Sequence, residues 1–437
     1  MVTDIANYYD FISYEHLRNI LADLSLAKEH ALDLLIYSLS CMLWQPDYMP
    51  RVPVGLPQMN LDAPRLLAHC FLFEIDKFLD SVSAADFARF MDDIDIGVDS
   101  ISEARDILKN LDLALQTRQV RLNSGKTRIL TETEAKQHFK IGENILLNKL
   151  AGRIVLKKGK TSLFNEKRKV EISIRTGLRK GAFATGNGDK ILKRLLNLAR
   201  DAKADLSDDH FQRIFEEWPS ARVALLNWWQ NHWAPELKLH VITELVQDGF
   251  LVDDQARMDV AVALVAARLP DTSYVRLHIK QILLCMNPNA IWGLYGQIWI
   301  ASKYSSANDL MILIESKVSI WSNHERLSRL VAGVLPRFLG LPSISKFRAI
   351  LQHANGIGGL SVRQFHEDLS STITGYTSVG GFIRAPNKSP PNRISHSKFL
   401  MLLSALHNAT IAPTAVTHLK TIHSVALSDD FYQNLIP

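Results

Sequence analysis

From about residue 206 to the C-terminus, apolar residues recur at helical spacing in segments of roughly 11–16 residues, interrupted by Pro219, Pro235, Pro270, Pro288 and Pro336. Short amphipathic helices cannot bury their apolar stripes singly, and stacked helical pairs bury such a pattern, although no clean repeat period is visible. Seven of the eight tryptophans fall between Trp218 and Trp321, within apolar helical patterns that include Trp228, Trp292, Trp299 and Trp321. Rings so placed read as core packing rather than binding surface.

The N-terminal part has a different character. Up to about residue 135, short strand-like runs alternate with helical ones. Phe87–Met91 and Ile94–Val98 read as the strands of a β-hairpin with Asp92 and Asp93 at its tip. A helix follows, opened by Ser100 with Glu103 three residues later, and its stripe of Ala104, Ile107, Leu108, Leu111, Ala114 and Leu115 faces a sheet. Arg105, Lys109 and Asp112 face water. Around Asp4 a strand ends and a helix through His16 and Ile20 begins.

Between these regions lies a basic segment. Residues 151–200 hold fourteen Lys and Arg against three acids, a net +11 in a chain whose formal charge is +5, leaving −6 elsewhere. Such a block is either the footprint of a phosphate-backbone contact or the solvated face of a helical hairpin. Lys157, Lys158, Lys160, Lys167, Arg168 and Lys169 are its candidate nucleic-acid-binding residues. The three cysteines, Cys41, Cys70 and Cys285, match no zinc or redox spacing. With no long apolar run and no basic leader followed by an apolar core, the expectation is a soluble cytoplasmic protein without a membrane partner. Residues 375–395, rich in Gly, Pro, Ser and Asn, read as an exposed loop. His418 and His423 lack nearby carboxylates or cysteines, and the Arg348/His353 spacing is one that chance readily supplies.

Two aspartates at a hairpin tip repel unless a cation lies between them. Nucleotidyl transfer supplies one, using two Mg²⁺ ions about 3.5–4 Å apart to activate a hydroxyl and stabilise the leaving pyrophosphate. It needs a further carboxylate from a neighbouring strand, for which Asp4 is the candidate. Here the chain resembles the reverse transcriptases. Asp4 with Tyr8-Tyr9-Asp10 is similar to their motif A, and Phe90-Met91-Asp92-Asp93 to motif C, with Phe in place of Tyr. Gly55-Leu56-Pro57-Gln58, followed by Asp62-Ala63-Pro64-Arg65, resembles motif B, and Leu122-Asn123-Ser124-Gly125-Lys126-Thr127 resembles motif D. The four occur in the family's order within about 130 residues, a joint signal more specific than any one motif.

The resemblance implies that Asp4, Asp92 and Asp93 bind two Mg²⁺ ions, or Mn²⁺ in their place. It implies that Tyr9 is a gate against the ribose 2′-hydroxyl, that Gln58 lies against the incoming nucleotide, and that Lys126 neutralises or protonates the leaving pyrophosphate. Motif B departs from the family at Met59, where Gly is usual, and at Ala63, where Ser is usual. Only three residues precede Asp4 and no fingers region is present, so a fragment or misplaced start is expected, with little or no polymerase activity in this chain. The helical C-terminal half resembles the abortive-infection and related antiphage-defence reverse transcriptases of bacteria.

The expected fold class is α+β, predominantly α: a truncated palm over 1–135, a basic connector or thumb-like segment over 136–205, and an all-α, HEAT-like helical-repeat region over 206–437. The implied function is an RNA-directed or template-independent DNA polymerase of an antiphage system. Its implied partners are deoxynucleoside triphosphates, RNA or DNA, and optionally further copies of the chain. The alternative is a catalytically degenerate palm on a helical scaffold that binds protein or RNA.

Overall fold

The computed structural model describes residues 1–24, 27–43, 52–57, 62–82, 87–157, 159, 162–334, 337–338 and 341–353. Gln58, Lys158, Lys160, the 375–395 segment, His418 and His423 lie outside these residues. The chain divides into two compact units, Met1–Phe139 and a second beginning at Lys140. The described residues are predominantly helical, with three short strands.

The first unit is built on an antiparallel sheet of β1 (Val2–Asp4), β2 (Phe87–Phe90) and β3 (Asp93–Ile96), in the order β1-β3-β2. Asp4 lies opposite Asp93, and Phe90 also pairs with Asp93. This register corrects the expectation of two aspartates at the tip. Asp93 is a ladder residue of β3, and the two-residue turn is Met91-Asp92. Met91 has φ +59° while Asp92 does not enter the positive-φ region, the sense of a type II′ turn, which favours Gly at that first position. The strand alternation sends Arg89 inward, where its side chain is 2% exposed. It makes a two-armed ion pair with Asp76 and donates to the Met91 carbonyl at 2.9 Å. That anchor holds the turn in a conformation Met91 would not choose alone.

The helices of this unit are α1 (Tyr8–Phe11), α2 (Tyr14–Leu24), α3 (Glu29–Met42), α4 (Asp62–Phe71), α5 (Phe73–Val82), α6 (Ile101–Gln116) and α7 (Glu132–His138). The single helix expected after Asp4 is broken into α1 and α2. Ile12 is extended, its carbonyl accepts from Gly55 N, and Tyr14 N donates to Pro53 O, so a crossing segment takes the backbone groups that a continuous helix would use. In α6, Ala104, Ile107, Leu111 and Leu115 are buried while Arg105 and Lys109 are exposed; Asp112 is half-buried. Ser100 caps Glu103 N, but Glu103 reaches the Asp99 N–H, so only half of a capping box forms.

The second unit contains α8 (Ile141–Lys157), α9 (Phe164–Lys180), α10 (Gly188–Ala202), α11 (Asp208–Glu217), α12 (Arg222–Gln230), α13 (Leu239–Gln247), α14 (Asp254–Ala266), α15 (Ser273–Cys285), α16 (Ile291–Tyr304), α17 (Ala307–Ser316), α18 (Val318–Trp321), α19 (Glu325–Gly333) and α20 (Ile344–Leu351). Alternate helices pack together: α10, α12, α14 and α16 form one row, and α11, α13 and α15 another. The basic segment is continuous with this arrangement, because Leu150, Val170, Ile174 and Leu195 belong to the same buried cluster as Trp228 and Leu264. The tryptophans divide. Trp218, Trp228, Trp229 and Trp321 are core, and the buried indole N–H groups of the last three each donate to a backbone carbonyl at 2.8 Å. Trp292 and Trp299 are only half-buried, and Trp233 is exposed. Core packing is therefore not the fate of every ring in the stripe.

Candidate functional site

The three segments likened to motifs A, C and D meet at the end of the small sheet. Beyond β1, residues 122–128 run along its other edge. Val2 and Arg128 exchange two backbone hydrogen bonds at 2.9 Å each, and Ile5 and Leu122 form a bridge. Thr3 and Thr127 hydroxyls meet at 2.7 Å. This zipper brings Asn123 and Lys126 to Asp4. Asn123 N donates to Asp4 O at 2.7 Å, Asn123 Nδ2 donates to Asp4 Oδ2 at 3.2 Å, and Lys126 Nζ lies 2.6 Å from the same oxygen.

Asp4 is buried, with 4% of its surface exposed, yet its Oδ1 meets no hydrogen-bond donor among the described residues. Beside it, burial pushes the Asp92 carboxyl above its ordinary range; the Asp4 charge, a side-chain hydrogen bond that Asp92 can donate to Asp4 only when protonated, and the Asp93 charge push the same way, and a backbone N–H opposes them in part. Two facing carboxylates cannot satisfy one another when both are ionised, since neither has a proton to donate. Among the described residues Lys126 is the one cation paired with Asp4. Its ammonium is held above the ordinary lysine value by the hydrogen bond to Asp4, with Asp93 and Asp92 contributing charge.

This donor set suits a hard divalent cation. Mg²⁺ is commonly bound by one or two carboxylates, with water and substrate phosphates completing its shell. Asp4 and Asp92 are the two carboxylates that could serve such an ion, and Asp4 Oδ1 is the atom of the pair without a donor among the described residues. Among the described residues no group of three or more His, Cys, Asp or Glu side chains is arranged to hold a metal ion. Asp93 is exposed, opposite Asp4 in the ladder, and acts on Asp92 through its charge.

Tyr9 is half-buried, edge-on to Tyr8 at 5.8 Å between ring centroids. Burial and the Asp92 charge raise its phenol above the ordinary tyrosine value, while Arg65 lowers it. The phenol is thus sensed by both Asp92 and a cation on α4, the helix of the motif B-like segment. The loop before α4 is tied in as well: Leu56 N donates to Tyr9 O at 2.8 Å. Gly55, at φ +100°, occupies a backbone region that disfavours a side chain.

Sequence reasoning assigned no role to Asn123, Arg65 or Arg89. The first two stand within the motif-like segments, where their proximity to Asp4 and Tyr9 was detectable only as co-occurrence. Arg89 could have been noticed as a charge on the inward phase of a strand.

In the second unit, Lys157 is drawn to the buried Glu166 at 3.0 Å, and Lys167 lies 3.9 Å from Glu171. Lys193, Arg194 and Arg200 also have internal partners. Arg168 and Lys169 are exposed, as are Arg175, Arg179 and Lys180, none with an acidic partner among the described residues. Arg168, Arg175 and Arg179 recur at helical spacing on one face of α9, about 16 Å from first to last. The available cationic surface is therefore centred on α9 rather than evenly spread.

No protein-family model matches the chain, and no curated protein matches it significantly in sequence. Among the described residues no helix is long and apolar enough to cross a membrane.

Proposed function

We propose that the first unit is a nucleotidyl-transfer palm of the reverse-transcriptase kind, and that the chain is an RNA-directed or template-independent DNA polymerase of a bacterial antiphage system. The observation that carries the reading is the convergence of Asp4 and Asp92 at one sheet end, buried or half-buried, with an Asp4 oxygen left without a donor. A structural role alone gives no reason for burying that oxygen unsatisfied. The row-on-row helices suggest a HEAT-like repeat scaffold, with the α9 arginines gripping a phosphate backbone.

Asp4 and Asp92, with Asp93 beside them, would hold Mg²⁺ or Mn²⁺, which when bound supplies Lewis-acid activation of the attacking hydroxyl and charge stabilisation at the phosphates. Tyr9 would present its ring to the sugar and disfavour a 2′-hydroxyl. Lys126 would exchange its contact with Asp4 for the phosphates of the arriving nucleotide, which places its ammonium where negative charge develops. Asn123 would keep Asp4 oriented while Lys126 moves. Arg89 would fix the turn that carries Asp92.

A second reading has its own support. Lys126 Nζ at 2.6 Å from Asp4 already partly neutralises the site, as a degenerate palm on a binding scaffold would require. The two separate on Mg²⁺-dependent nucleotide binding by the purified chain, read as a thermal shift. The polymerase reading expects a Mg²⁺-dependent shift with deoxynucleoside triphosphates, lost in Asp92→Asn, and a weaker response to ribonucleotides that Tyr9→Ala strengthens. An identical response in wild type and Asp92→Asn, or none in either, favours the degenerate palm.

A further inference from the structure

The second unit carries an aromatic groove distinct from the arginine face of α9. Trp292, Tyr295 and Trp299 lie at i, i+3 and i+7 on α16, so they share a face. Neighbouring centroids are 5.9 Å apart in both steps, Trp292 to Tyr295 and Tyr295 to Trp299. All three are half-buried and line a groove of about 710 Å³ that α19 completes with Arg326 and Arg329. The Arg326 guanidinium lies 5.4 Å from the Trp292 ring centre. No carboxylate lines the groove among the described residues, and Arg326 has no acidic partner among them; Arg329 is shared with Glu325.

The ladder has a firm backing. A Cβ at Gly293 would fall 2.0 Å from the Asn287 carbonyl oxygen, and one at Gly296 would fall 3.3 Å from Ala261 Cβ, so α16 sits close against its surroundings because both positions are Gly. Gln297, also on α16, donates from Nε2 to the Leu283 carbonyl of α15 at 2.9 Å. The rings are thus presented by an element that cannot easily rotate to bury them.

We propose that this groove binds the unpaired bases of a single-stranded nucleic acid, with the bases against the ladder and the phosphates toward Arg326 and Arg329. The rings lie tilted and edge-on to one another, at 52° and 82° between planes, so each offers its own face; an aromatic face accepts any base, and neighbouring arginines complement the backbone charge. An apolar peptide would match the rings but leave Arg326 without counter-charge, since only Arg329 has an acidic partner, Glu325, among the described residues. A duplex, whose bases already stack on one another, would match only the cations. The inference extends the nucleotidyl-transfer reading without depending on it, because none of its residues belongs to the palm.

The test measures anisotropy of the full chain with a labelled oligothymidylate, an abasic oligonucleotide of equal length, an oligouridylate and a duplex, all in EDTA. The same series is repeated with Asp92→Asn, so that failure of the palm reading leaves this result untouched. The base-bearing strand should bind about 10-fold tighter than the abasic one, as a stacked base contributes on the order of 1–3 kcal/mol and tenfold is about 1.4. Trp292→Leu and Tyr295→Leu should each erase most of that difference, and Arg326→Gln should weaken both strands. The exposed Arg326 provides a variant with little folding risk, and circular dichroism checks the other two. The uridylate arm tells RNA from DNA. Equal affinity for base-bearing and abasic strands, competition by duplex as effective as by single strand, or unaltered base preference in folded ring variants would overturn the proposal.

Discussion

Replacing Lys126 by Met removes the cation paired with Asp4 and keeps most of the side chain's length. Asp4 is 6% exposed at its side chain and Lys126 is 68% exposed, so the pair lies between two limits. Exposed ion pairs contribute about 0.2–1 kcal/mol, whereas breaking a buried pair costs about 3–5. Lys126→Met should therefore cost about 2 kcal/mol in EDTA, most of it from leaving the Asp4 carboxylate with Asn123 alone. For a unit of this size that is a fall of about 8 °C in the Tm of the transition that reports the first unit. Mg²⁺ should then do what Lys126 did. At roughly ten times its dissociation constant a bound ion contributes about 1.4 kcal/mol, so titration should recover more than half of the loss. Wild type should respond less, because Lys126 competes with the ion, and Asp4→Asn should not respond. Differential scanning calorimetry of the three chains with EDTA and with Mg²⁺ gives the comparison. Equal Mg²⁺ shifts in all three would refute the cation-site reasoning, and an unchanged Tm for Lys126→Met in EDTA would refute the energetic role given to the pair.

Arg89 should prove the strongest single positioning residue of the hairpin: Arg89→Met strands Asp76 and frees the Met91 carbonyl, at a cost of about 3–5 kcal/mol, while adding Asp76→Leu should recover part of it in a double-mutant cycle. Purely additive losses would show that the two side chains do not act as a pair. Gly293→Ala should destabilise the second unit by about 1–3 kcal/mol in urea unfolding, because the new Cβ collides with the Asn287 carbonyl; an unchanged midpoint would contradict that packing. His278 and His324 are both held below the ordinary histidine value, chiefly by burial. The unfolded chain then takes up protons first as pH falls through about 6.5, so stability is fully present above that pH and declines below it. His278→Gln combined with His324→Gln should flatten the dependence of Tm on pH between about 7 and 5, and an equally steep curve would assign the acid loss elsewhere.

What could be read from the chain, and what could not, follows the range over which each feature is encoded. The α6 stripe and its Ser100 cap are local, and the structure places Ala104, Ile107, Leu111 and Leu115 inward as the 3.6-residue period demands. The hairpin was legible as an element but misjudged by one residue at its tip. Its turn is set by Arg89 reaching Asp76 and by the pairing of Asp4 with Asp93, neither of which is a local preference. The core reading of the tryptophan stripe holds for Trp218, Trp228, Trp229 and Trp321 but not for exposed Trp233 or half-buried Trp292, because a helix repeats its buried face and a groove-facing ladder with the same i, i+3, i+7 spacing. Trp292 and Trp299 line the groove with α19, although Trp299 also packs against the core that buries Trp228. The basic block was legible as charge but not as surface, since Lys157 and Arg194 are spent on internal partners while Arg175 and Arg179, of the same composition, remain outside. In the first unit the difficulty is reversed. Asp4, Asp92 and Lys126 stand far apart in sequence, and only motif order suggested that they belong together, yet the zipper of residues 122–128 along β1 brings Lys126 onto Asp4. If the first unit is the palm proposed above, Mg²⁺ and Lys126 compete for Asp4; if it is a degenerate one, Lys126 is the permanent occupant, and the response of wild type to Mg²⁺ separates the two.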